Sequence, residues 1–135
     1  MLSNLAALFR TAQLTAHAAY NPSNGPTFLA DHNDLAELYA AYESTYDHLI
    51  ERMIGEGEIP DLISIYDKAL DGFCAIVPSP AGFGLMQKLE IEIRAEIDAI
   101  QSIVSFGTQN LLARLADESL DRSYKLGQRL KSKTT

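Results

Sequence analysis

The sequence predicts an all-α protein, a four-helix bundle with a short extra helix between its second and third long helices. Two observations carry this. Proline and glycine clusters cut the chain into four long blocks and one short one, and within each block apolar residues recur in steps of three and four. The 135 residues read as one domain spanning 1–135, ending in a short basic stretch at 122–135. At 47% apolar and 21% charged residues, the composition is that of a chain able to bury its own core.

The first helix is expected over 2–20, where Leu5, Leu8, Phe9, Ala12 and Ala16 share one face, and it ends at the turn formers Asn21-Pro22-Ser23-Asn24-Gly25-Pro26. The second runs from Thr27 to Gly55. Its stripe Phe28, His32, Leu35, Tyr39, Tyr42, Tyr46, Leu49, Met53 advances in alternating steps of four and three, and the Gly55–Pro60 stretch stops it. Asp61 fits an N-cap for a short helix through Leu62, Ile63, Tyr66, Leu70 and Phe73, which Pro78-Ser79-Pro80 and the glycines at 82 and 84 close. The third long helix is expected over about 83–104, with Met86, Leu89, Ile93, Ile97, Ile100 and Val104 inward. Leu89–Ile93 alternates like a strand, but the longer period and a Glu90/Arg94 pair at i,i+4 favour helix. The fourth follows Gly107, with Thr108 as its expected cap, and runs through Leu111, Leu112, Leu115, Leu120 and Leu126 to about Leu130. The long connection between the second and third helices permits the non-adjacent crossover of ferritin-like bundles.

Charge narrows the function classes. The net charge is -7, yet Arg122, Lys125, Arg129, Lys131 and Lys133 follow one another without an acid, so an acidic body carries a basic end. Such a body attracts cations and repels nucleic acid, while the end favours phosphates locally. No apolar run reaches the roughly 18 residues of a membrane span. The start reads as mature protein rather than a secretory signal, and the lone Cys74 has no disulfide partner, so the cytoplasm is the expected location. Cys74 reads as a small buried hydrophobe.

Three histidines are present, and His17 and His32 flank the turn between the first two helices, which places them at one end of an antiparallel hairpin. A single imidazole on an apolar stripe is more often a satisfied core group than a ligand. Asp47 and Glu51 lie four apart on one helix face, ordinarily a solvated arrangement; beside a partner they are hard donors for Fe2+ or Mn2+. His32 and Asp47 are separated by about 22 Å along the helix and some 60° around it, so one chain cannot bring them to one metal. If the four residues form one site, it lies between two chains related by a two-fold axis, with two equivalent sites per dimer. His48 points about 100° away from Asp47 and reads as surface or packing.

These residues resemble a known family. His17-Ala18-Ala19-Tyr20, then Gly25-Pro26-Thr27-Phe28-Leu29-Ala30-Asp31-His32, Leu35, Tyr39, Asp47 and Glu51-Arg52 are similar to the Dps-type mini-ferritins, the DNA-binding proteins from starved cells. The resemblance implies a hollow cytoplasmic dodecamer that oxidises Fe2+, preferably with hydrogen peroxide, and stores ferric mineral as protection against oxidative damage. It implies His17 and His32 as ligands from one subunit and Asp47 and Glu51 as carboxylates from the neighbour. Asp31 stands where the family tends to have an apolar residue and offers a further ligand or a partner to the histidine beside it. Ala18 replaces a common tryptophan, Asn21-Pro22-Ser23 lengthens the turn, and the acids expected near the start of the fourth helix for iron entry are absent from Ser105–Asn110.

The alternative is a cage of the same kind acting mainly as a nucleoid or scaffold protein with degenerate metal sites. Lys125, Arg129, Lys131 and Lys133 are candidate DNA contacts, disfavoured by the acidity of twelve copies at -7 each. Metal-dependent hydrolysis ranks last, because no residue names an organic substrate.

Overall fold

Alanine sets the architecture by letting one helix sit among three others. The computed structural model describes residues 1–23, 25, 27–75 and 82–134, with the backbone alone at 74–75 and 132–134. It contains α1 (Ser3–Tyr20), α2 (Phe28–Gly55), α3 (Leu62–Ala75), α4 (Phe83–Ile100), a 3-10 turn at Gln101–Ile103 and α5 (Phe106–Thr134). No strand occurs among the described residues. On α1, Ala6, Ala7, Ala12, Ala16 and Ala19 are buried beside Leu5 and Phe9, and these short side chains admit α2, α3 and α4 as neighbours. Thr11 donates to the carbonyl of Ala69 at 2.9 Å, and Gly72 passes so close that a Cβ there would lie 3.1 Å from the Thr11 hydroxyl.

Side-chain pairs give the helix directions. Ser3 reaches Met53 at one end of the α1–α2 hairpin, and Tyr20 stacks on His32 at the other. Along α2, Asp31, His48 and Glu56 meet Arg129, Arg114 and Thr108 of α5, so this pair is antiparallel. Glu90 and Arg94 of α4 meet Arg122 and Ser119 of α5, antiparallel again. Therefore α2 and α4 run parallel. Parallel helices cannot be joined by a tight turn, so the connection must return along the bundle, and it carries α3 against α1.

The buried stripes are those the periodicity predicts, with informative differences. Leu35, Tyr42, Tyr46, Leu49 and Met53 are buried on α2, whereas Phe28 at its start is exposed and His32 and Tyr39 are half-buried. On α5, Leu111, Leu112, Leu115 and Leu126 are inside but Leu120 is exposed; Ser119 takes the inward position because it bonds the buried Glu90 carboxylate. Glu90 does not pair with Arg94, which bonds Ser119 and Ser123 instead.

One helix cap also differs from expectation. The cap of α5 is Ser105, whose hydroxyl accepts from the amide of Thr108 at 3.3 Å; Thr108 sits in the first turn and, like Ser105, bonds the Glu56 carboxylate. As expected, α2 ends at Gly55, and within the Gly55–Pro60 stretch it is Gly57 that turns the chain away. Its φ is 87°, and the bonds Gly57 N–H to Ile54 and Glu58 N–H to Met53 close a Schellman motif. Asp61 caps α3 through the amide of Ser64 at 3.0 Å, as expected. The Pro78-Ser79-Pro80 break and the Cys74 side chain lie outside the described residues.

Candidate metal centre

The hairpin of α1 and α2 orients the first half of the donor set. His32 enters on the second turn of α2, and its Nδ1 lies 3.2 Å from both the Tyr20 carbonyl and the Ser23 hydroxyl. The carbonyl can only accept, and the Ser23 proton is already given to that same carbonyl at 2.7 Å. Nδ1 must then carry a hydrogen, so that in the neutral imidazole the lone pair sits on Nε2. This is the tautomer a metal-ligating histidine needs, held by the kind of outer partner such ligands have. Ser23 belongs to the turn between α1 and α2, so that turn supplies an orienting group; its small polar side chain gave no such signal in the sequence.

Aromatic rings hold the imidazoles in place. Tyr20 stacks on His32 with ring centres 3.7 Å apart, and Phe28 lies 4.9 Å away on a tilted ring. His17, in the last turn of α1, is exposed, with its ring 4.7 Å from Tyr39 and 6.3 Å from Tyr20. Tyr20 thus touches both histidines and ties the two halves of the hairpin to one cluster.

The carboxylates are elsewhere. Asp47 and Glu51 project from the exposed side of α2, fifteen or more residues beyond His32, about 22 Å along the axis at 1.5 Å per residue. Among the described residues no three His, Cys, Asp or Glu side chains converge as a metal would require. One chain therefore presents the candidate ligands as two half-sets, the histidines where α1 meets α2 and the carboxylates further along α2. His48 is exposed, its Nδ1 3.3 Å from an Arg114 nitrogen. Asp31 is buried, accepts from the Thr27 hydroxyl at 2.9 Å and forms an ion pair with Arg129, which also reaches Asp34 at 3.2 Å. Its carboxylate links α2 to α5.

The basic end does not form one patch. Arg122 and Arg129 turn inward to Glu90 and to Asp31 with Asp34, which leaves Lys125 and Lys131 exposed; the Lys133 side chain lies outside the described residues. Lys125 borders an open cleft of about 490 Å³ between α2 and α5, where Asp34, Glu37 and Asp121 also face. Burial, with Glu37 nearby, raises the Asp34 carboxyl above its ordinary value.

Sequence reasoning missed the charged group at the centre of the bundle. The Glu90 carboxylate is fully buried and receives Tyr42 Oη at 2.6 Å, Ser119 Oγ at 2.7 Å and Arg122 Nε at 2.6 Å. Burial and the adjacent Glu90 charge push the Tyr42 phenol well above its usual value. The available signal was Tyr42 on the apolar stripe, a hydroxyl that must find a partner when buried. No protein-family model, curated protein or solved structure matches this chain.

Proposed function

We propose that this chain is a Dps-type, ferritin-like iron-storage protein whose subunits pair about two-fold axes and assemble into a cage. Its substrates are Fe2+ and hydrogen peroxide. The observation that carries the reading is the division of the donor set: two histidines at one end of α2, His32 oriented through its Nδ1, and an exposed carboxylate pair about 22 Å along that helix. Laying α2 antiparallel beside its copy brings the histidines of one subunit to Asp47 and Glu51 of the other, and does so twice. The helix directions support it, since α2 and α4 run parallel and are joined by a long crossover, as in ferritin-like bundles.

The chemistry follows from the donors. Two carboxylates beside two neutral imidazoles balance much of the charge of ferrous ions and favour the ferric state, because hard anionic oxygens hold the higher charge better. Two Fe2+ each give one electron to one peroxide; its O–O bond breaks, two protons are taken up and two waters form, so no hydroxyl radical is released. The ferric product hydrolyses and is stored inside the cage. His32 stays a ligand because Tyr20 and Ser23 hold its Nδ1 hydrogen, and the exposed edge of His17 lets it turn toward the incoming ion.

The test is peroxide-driven oxidation of Fe2+ by the wild type and by Asp47→Ala/Glu51→Ala, with particle mass read on the same samples. The expected result is a fall in rate of at least about tenfold, the scale of losing metal-site groups, with assembly unchanged. An unchanged rate removes the ferroxidase reading and leaves a scaffold role.

A further inference from the structure

We infer that the cleft between α2 and α5 binds a linear aliphatic polyamine of about the length of spermidine. The inference stands apart from the iron chemistry and does not depend on it. Long side chains tie the two helices together, Arg129 to Asp31 and Arg114 to His48, and between these ties lies the open cleft of about 490 Å³. That size falls within the roughly 300–1,000 Å³ of small-molecule sites. Leu38, Ala41, Phe83 and Leu126 give the cleft an apolar floor.

The placement of charge around that floor selects the ligand. The two ties set an antiparallel register in which Asp121 of α5 lies level with Ala41 of α2, seven residues (34 to 41) from Asp34, or about 10 Å along the axis. Acids therefore mark both ends of the cleft, with Glu37 between them. Two of the cations in the lining are already engaged: Arg122 gives two nitrogens to Glu90, and Arg129 is shared between Asp31 and Asp34. Glu37 and Asp121 form no ion pair among the described residues. Burial raises the Asp34 carboxyl and the Glu37 charge adds to it, so the acids at this end repel one another. A single metal ion does not suit the arrangement, because no three carboxylates converge among the described residues and the surface between the ends is apolar. An extended polyamine does suit it. Its terminal ammonium groups meet acids about 10 Å apart, and its methylenes lie on Leu38 and Leu126, as the stems of long cationic side chains lie on apolar surface. Putrescine is too short to reach both ends. Lys125, exposed on the rim, opposes the ligand electrostatically.

The test is isothermal titration calorimetry of the full chain at physiological ionic strength, with spermidine and putrescine as probes and Mg2+ as competitor. Spermidine is expected to bind saturably at one site per chain and more tightly than putrescine, and Mg2+ at the same concentration should not displace it. Glu37→Gln/Asp121→Asn should weaken spermidine about tenfold, the upper end of what two exposed ion pairs supply. Lys125→Ala should tighten it. Asp67→Asn/Asp71→Asn removes two exposed acids from α3, outside the cleft, and should leave binding unchanged. Glu37 and Asp121 are exposed, so the helix content of the double variant, read by circular dichroism, should match the wild type. Ala41→Lys, which fills the cleft from another exposed position, gives the same reading should the double variant fail to fold. The proposal is overturned by the absence of saturable binding, by displacement with Mg2+, by folded cleft variants that bind as the wild type does, or by an equal loss from the α3 acids. Each of these outcomes reduces the cleft to part of a generally acidic surface.

Discussion

Glu90 shows how a single residue organises this bundle. A buried carboxylate is tolerable only when its charge is answered, and here Arg122, Tyr42 and Ser119 together satisfy both oxygens. Removing one partner of such a pair leaves the other charge stranded. Glu90→Ala is therefore expected to cost about 3–5 kcal/mol in urea unfolding, near the upper range for single substitutions. Tyr42 adds a pH dependence. Its phenol titrates well above 10 when folded and near 10 when unfolded, so its contribution is complete below pH 10 and is lost as pH rises from there toward the folded value. Urea midpoints should fall above about pH 10, and Tyr42→Phe should show a flatter alkaline decline. Periodicity located Tyr42 but not its partner, because a rule that scores apolar spacing has no means of pricing a buried acid. Glu90 was legible only as one half of a surface pair with Arg94, which the fold does not form.

At the scale of elements, type, order and most boundaries were legible, while the residues that make individual caps and stops were not. All five helices follow from blocks of three-and-four spacing, since that signal is summed over many residues. A boundary depends on one or two residues whose backbone angles the sequence leaves open. Gly55 and Gly57 offered equal stops to α2, and Ser105 and Thr108 equal caps to α5; tertiary bonds from Glu56 favoured the arrangement seen. The glycine assignment predicts opposite signs at neighbouring positions. Gly57→Ala places a Cβ on a left-handed residue and should cost about 1 kcal/mol. Gly55→Ala falls in open space within helix and should gain about 0.4–1 kcal/mol by restricting the unfolded chain. Thermal or urea unfolding of both variants checks the pair.

For the whole molecule, the histidine and carboxylate pairs were legible from their spacing, and the arithmetic of 1.5 Å per residue already separated them. What spacing could not give was the tautomer of His32, which depends on a turn serine and a backbone carbonyl, or the fate of the basic end, where two of its arginines fold inward onto acids. Linear charge runs predict patches only when helix faces and tertiary partners are known. The parallel course of α2 and α4 makes α3 a crossover strap, which packs on α1 through Ile65 and Ala69 and leaves Leu62, Ile63, Tyr66 and Leu70 exposed.

The central claim is that each site takes its histidines from one chain and its carboxylates from another. Mixing His32→Ala and Asp47→Ala chains tests it directly, with peroxide-driven Fe2+ oxidation as the readout. Each variant alone spoils both sites of its dimer. In a mixed dimer one site carries both changes and the other carries neither. Equal mixing should therefore restore about a quarter of the wild-type rate. A mixture as inactive as its two parents, at the wild-type particle mass, would contradict the shared site.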